Sequence, residues 1–238
     1  MKHAVMRLRA LLTSIGLAAG GFSACGQNFL FNNLDLTIPD GDPAGVVDVQ
    51  VIDTESFPIL DISVTLEISG VDAGGYNGDL YVALQHDSGF SVLLNRVGRR
   101  EENLSGYADN GFSITLDDSA PSGDIHSYRM TLEGSHTTPI PGPLTGVWQP
   151  DARNVDPDSV LDTSPRTAGL SAFEGLDPRG EWTLFIADME EGGQMRLESW
   201  GLIITVPEPG TGVLTAMGLL ALTLLGRRSG RTRPARIP

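Results

Sequence analysis

The sequence predicts an all-β protein, a two-sheet sandwich or jelly roll, and three observations predict it. Residues 27–205 repeat short stretches in which apolar and polar residues alternate, the period of a strand with one buried face. No stretch there sustains the 3.6-residue period of a long helix. Clusters of Gly, Asn, Asp and Pro separate the stretches, at residues 39–43, 74–79 and 139–143, and these residue types favour turns.

Taken in order, residues 47–51 read as the first strand of the alternating kind. Residues 62–68 place Ile62, Val64, Leu66 and Ile68 on one face and Ser63, Thr65 and Glu67 on the other. Asn77-Gly78 offers the positive φ angles of a tight turn, and residues 80–85 then turn Leu80, Val82 and Leu84 inward. Residues 112–116, 182–187 and 200–205 repeat the scheme. One polar face per strand favours antiparallel sheets with one solvated side. Residues 139–170, rich in Pro and Asp, read as one long irregular loop. Trp148, Trp182 and Trp200 are the large core anchors.

The chain has 238 residues and a formal charge of −14. Its ends are basic, so residues 27–205 hold eight arginines, no lysine and 29 acids, a net of −21. That surface repels a phosphate backbone and excludes nucleic-acid binding; cations are the expected small partners. Cys25 is the one cysteine, so no internal disulfide can form.

Residues 1–26 read as an export signal helix, with Lys2, Arg7 and Arg9 before an apolar run and small residues 20–26, cut before Gln27. Residues 22–25 resemble a degraded lipobox, which leaves acylation of Cys25 as an alternative. Residues 206–238 combine Val206, Pro207, Glu208 and Pro209 with the uncharged apolar run 212–225 and the stop Arg227-Arg228. The run is shorter than the roughly 20 residues of a comfortable span. The three parts resemble a bacterial PEP-CTERM sorting signal. That resemblance implies transient membrane insertion of residues 212–225, an exosortase as partner after the export machinery, and a cell-envelope or secreted product. A permanent single-span anchor is the alternative.

The middle resembles the P/Homo B domain, which follows the subtilisin-like catalytic domain of proprotein convertases. The blocks run in order: Ile38-Pro-Asp-Gly41, residues 59–68, Gly78-Asp-Leu80, Asp117-Asp-Ser-Ala120, residues 170–175, residues 180–188 and Ser199-Trp-Gly-Leu202. The resemblance implies a jelly-roll β-sandwich of the galactose-binding-like kind over residues 27–205, between the signal and sorting helices.

It also invites a protease reading, which the residues do not support. A hydrolytic triad needs a nucleophile, a base and an orienting acid. The middle offers only His86, His126 and His136, no G-x-S-x-G elbow, and no length beyond the P-domain blocks for a catalytic domain. There is no H-E-x-x-H and no phosphate-cradling loop with its lysine. The expectation is a non-catalytic binding or structural module whose partner is an envelope protein, a protease or an exopolysaccharide. Two alternatives stand beside it: an accessory acting with a subtilisin-like protease, and a lectin-like binder using Tyr76, Phe90, Tyr107 or Trp148. Calcium is the best cofactor candidate, since it takes carboxylate and carbonyl oxygens in loops. Asp79, Asp117, Asp118 and Asp188 are its candidate ligands, against a plain solvated acidic surface. Loops 71–78 and 139–168 are the candidate binding faces.

Overall fold

Strand β4 (Asp61–Gly70) buries Ile62, Val64, Leu66 and Ile68 and turns Ser63, Thr65 and Glu67 outward, as its alternation predicts. It is the centre of one sheet in the computed structural model, which describes residues 24–72 and 74–207. Residues 1–23 of the expected signal and 208–238 of the expected sorting segment lie outside the described residues, while residues 24–26 and 206–207 lie in strands rather than helices. Among the described residues no helix is long and apolar enough to cross a membrane.

The other strands are β1 (Ala24–Phe31), β2 (Leu36–Ile38), β3 (Val46–Ile52), β5 (Leu80–His86), β6 (Gly89–Asn95), β7 (Phe112–Leu116), β8 (Leu144–Trp148), β9 (Gly180–Asp188) and β10 (Met195–Pro207). They form two sheets. The first runs β1-β10-β4-β7-β8 with β2 also paired to β10; the second runs β3-β9-β5-β6. The inner faces supply the core, with Trp148, Trp182 and Trp200 all fully buried. The expected all-β sandwich is therefore present. Among the described residues a single short α-helix, α1 (Tyr128–Glu133), ends at Gly134, whose left-handed φ of 66° lets its N–H return to the Met130 carbonyl.

Four features depart from the alternation rule, each for a physical reason. In β3 the valines face out: Val47, Val49 and Val51 are exposed while Asp48 and Gln50 look inward. The buried indole N–H of Trp200 needs an acceptor, and Asp48 Oδ2 supplies it at 2.6 Å. In β10 the inward residues switch from odd (Met195, Leu197) to even (Trp200, Leu202, Ile204). A bulge between Leu197 and Ser199 absorbs the change. The expected long loop from residue 139 contains β8, which pairs parallel to β7. Its middle inward position is Gly146, so Leu144 and Trp148 carry the buried face with no apolar residue between them. A parallel neighbour needs a long crossover, here residues 117–143 with α1.

The fourth departure is at Asn77-Gly78, which forms a buried 3-10 turn rather than a positive-φ hairpin. The Asn77 amide instead acts as a surrogate backbone: its Oδ1 accepts the Gly111 N–H at 2.7 Å and its Nδ2 donates to the Gly111 carbonyl at 3.2 Å. Gly78 is needed for close approach, because a Cβ there would stand 2.5 Å from the Tyr107 nitrogen.

Candidate functional site

Antiparallel pairing of β5 with β9 sets Leu80 opposite Asp188, which brings Asp79 and Asp188 together at one end of the second sheet. The Met189 N–H ties the corner by donating to the Asp79 carbonyl at 2.8 Å. Asp40, from the β2–β3 loop, joins them and accepts the N–H groups of Gly192 and Gly193 at 3.0 and 3.3 Å. Glu190 completes the set. Its N–H donates to Asp188 Oδ1 at 3.2 Å.

One cation serves these acids. Arg96 leaves the end of β6, and its guanidinium is wholly buried. Nε donates to the Gly78 carbonyl at 3.2 Å. Nη2 lies 2.9 Å from Glu190 and 4.0 Å from Asp79, and Nη1 lies 3.5 Å from Asp158. Burial pushes the Asp79 carboxyl up to about 7, with the charge of Asp188 adding and Arg96 opposing. Burial likewise raises Asp188 to about 6, with the charge of Asp40 adding. Asp188 Oδ2 is buried without a hydrogen-bond partner.

Asp117 and Asp118 are used elsewhere. Asp117 accepts the Ser119 N–H and hydroxyl at 2.7 and 2.6 Å and the Ser63 hydroxyl at 2.9 Å. Burial works to raise its carboxyl, but these hydrogen bonds hold it below the usual carboxylate range. Asp118 accepts the Leu170 and Ser171 N–H groups at 3.0 and 2.8 Å and so pins the 3-10 turn Leu170–Phe173. Among the described residues, no three Asp, Glu, His or Cys side chains are set to hold a metal ion. Val206 and Pro207, read as the start of the sorting signal, are the last rungs of β10, opposite Cys25 and Ala24. Glu208, Pro209, Arg227 and Arg228 lie outside the described residues.

The three histidines of the middle are all engaged. His126 is fully buried; Nδ1 meets Asp151 Oδ2 at 2.7 Å and Nε2 meets the Arg99 carbonyl at 2.9 Å. Burial alone would lower its pKa, yet the Asp151 carboxylate wins and holds it raised. Arg153 closes the cluster by donating to Asp124 Oδ2 at 2.7 Å and Asp151 Oδ1 at 3.2 Å. His86 lies flat on Trp182, ring centroids 4.0 Å apart, and both its nitrogens face carbonyls, of Glu181 at 2.8 Å and Asp177 at 2.7 Å. His136 Nδ1 meets the Tyr107 hydroxyl.

Much of the segment expected to be a free binding loop is bolted down. The N–H groups of Asp151 and Ala152 donate to the Leu93 and Val92 carbonyls, and Asn95 donates to the Arg153 and Val155 carbonyls. The segment thereby covers the free edge of β6. The expected loop aromatics do not form an exposed array either. Tyr107 and Trp148 are buried, Phe90 is half-buried, and Tyr76 is exposed. Tyr107 packs edge-on to Tyr128 with the Arg129 guanidinium 4.6 Å from its ring centre, and burial pushes its phenol up to about 12.

Sequence reading nominated Asp79 and Asp188 but missed Arg96. One signal was present: Arg96 directly follows the apolar run 92–94 and Asn95, and an arginine carried into a core must be paired.

No protein-family model matches the chain, and no curated protein matches it. Solved structures that resemble it include a chain of the complex of Aeromonas sobria serine protease with its chaperone. The TM-score is 0.39 at 12% identity, over 79% of this chain and 28% of the matched chain. The serine protease of Aeromonas sobria gives TM-score 0.39, 12% identity, 78% and 27%. FlhE gives TM-score 0.34, 10% identity, 78% and 98%. This chain thus spans about a quarter of the length of the protease structures it resembles.

Proposed function

We propose that the protein is an exported, non-catalytic binding or structural module of the cell envelope, processed at its C-terminus by an exosortase. Its sandwich is a jelly roll of the P/Homo B kind. The strand order supports the fold assignment: β2-β10-β4-β7 faces β3-β9-β5-β6, the order of a double Greek key. The observation that carries the non-catalytic reading is the state of the His126–Asp151 pair. It has the look of the orienting half of a triad, but Nε2 is spent on the Arg99 carbonyl and the ring has no exposed surface. A general base needs a free nitrogen within reach of the proton it takes.

The test is mass spectrometry of the mature protein from its native host, with a peptidase assay on the same material. The expected result is a mature chain starting at Gln27, ending close to Pro207–Pro209, and inert toward peptides. Hydrolysis that disappears in His126→Gln would overturn the non-catalytic reading. An uncleaved cytoplasmic chain would overturn the export reading.

In this reading the module needs no calcium. Arg96 is the resident cation of the carboxylate cluster, placed where a divalent ion would otherwise balance the acids. Chelator-treated protein is expected to melt at the same temperature with and without 5 mM calcium chloride; a rise of several degrees would return the cluster to calcium.

A further inference from the structure

The outer face of the first sheet carries a groove of about 420 Å³ that none of the readings above uses. Strand register builds it. One row of facing residues runs Leu30, Gly201, Thr65, Thr115 and Val147 across β1, β10, β4, β7 and β8. A second row runs Ser199, Glu67, Ser113 and Thr145. The β10 bulge makes the second row possible, because it turns Ser199 outward one residue before Trp200 turns in. Five strands at roughly 4.8 Å spacing give a trough about 19 Å long. Leu30 and Val147 stand at its two ends, both largely exposed.

One further detail points to a ligand. The floor at Gly201 is closed over: a Cβ there would stand 2.6 Å from the Phe29 carbonyl, 2.8 Å from Thr65 Oγ1 and 3.1 Å from Leu30 Cδ1, so the Leu30 side chain lies across it. Thr65 Oγ1 is itself buried and has no hydrogen-bond partner, an uncommon state for a hydroxyl in a folded protein. Leu30 is the side chain lying over Gly201 beside that hydroxyl, and its exposure leaves it free to change rotamer. A guest hydroxyl that displaces Leu30 gives Thr65 its missing partner.

The lining selects the guest. It holds no arginine, lysine or histidine, so it has nothing to neutralise an acidic polymer or a phosphate. Its single carboxylate, Glu67, accepts the Ser199 hydroxyl at 3.1 Å and adds to a strongly acidic domain. A purely apolar guest would bury the hydroxyls of Thr65, Ser113 and Thr115 unpaired. We propose that this trough binds a neutral polyhydroxylated chain, an uncharged glycan lying across the strands, with Thr65, Ser113 and Thr115 donating and accepting along it. The proposal rests on the reading of the protein as a binding module and names that module's ligand class.

The experiment titrates full-length protein in mild detergent with dextran, laminarin and alginate by calorimetry, in parallel with Thr65→Val and Ser113→Ala. Val49→Thr, on the outer face of the other sheet, is the control, and circular dichroism verifies that each variant is folded. The expected result is binding of a neutral glucan that weakens at least tenfold in each groove variant and is unchanged in Val49→Thr. Binding of none of the three, preference for alginate, or neutral binding that both groove variants retain would overturn it. The mass-spectrometric test of export is independent, so an exported chain that ignores glucans sinks the groove alone.

Discussion

Two buried polar clusters in this protein use the same residue types and reach opposite electrostatic outcomes. Around His126, an imidazole and a guanidinium meet two acids: His126 and Arg153 face Asp151 and Asp124, these side-chain contacts are 3.2 Å or shorter, and His126 and Asp151 are wholly inaccessible. Around Arg96, one guanidinium faces Asp79 and Glu190, with Asp188 and Asp40 alongside, and one carboxylate oxygen is left over. The balanced cluster fastens the 149–168 segment to the sheet. The unbalanced cluster favours the protonated forms of Asp79 and Asp188, which is what raised carboxyl pKa values mean physically.

The largest effect is expected from breaking the balanced cluster. Asp151→Ala strands His126 and Arg153 in the interior, and removing one partner of a buried pair costs about 3–5 kcal/mol. Urea denaturation should register that loss at pH 7. A cost under about 1 kcal/mol would mean that water reaches these charges and that the segment is loosely held.

The next effect sharpens the contrast through pH. Arg96→Met removes the only cation within ion-pair distance of Asp79 among the described residues. The loss should again be about 3–5 kcal/mol at pH 8, but smaller at pH 5, where Asp79 and Asp188 take up protons. An equal loss at both values would refute the proton-holding account.

The smallest effect has the opposite sign. Asp79 titrates at about 7 folded against an ordinary 3.8, so the folded state binds more protons between those values. Stability from this group is full below about pH 4 and is lost as pH rises through 7. Asp79→Asn removes that loss. It should raise the melting temperature by roughly 3–6 °C at pH 8 and leave it unchanged at pH 4; a decrease at pH 8 would show that the Arg96 ion pair outweighs burial.

How much of this was legible beforehand follows from the range of each interaction. The faces of β4, β5, β7 and β9 could be read because alternation is local, and their inward residues are those the period selects. β8 could not, because Gly146 removes the middle apolar residue from its buried face. β3 hid its orientation, because what turns Asp48 inward is Trp200, 152 residues away. At the carboxylate cluster the acids next to β5 and β9 were visible as candidates. Their sharing of Arg96 was not, since it depends on the pairing of β5 with both β6 and β9. Asp117 and Asp118 look the same in sequence and do a different job, because each meets hydroxyl or backbone donors before it meets another carboxylate.

The pairing of Ala24 with Pro207 has a mechanical consequence. The first and last described strands lie antiparallel with their outer ends side by side, so a pull that separates residue 24 from residue 207 loads one rung at a time. β1 would peel away like a zipper at low force. β10, held between β1 and β4 over residues 200–205, would resist the same load until that peeling was complete.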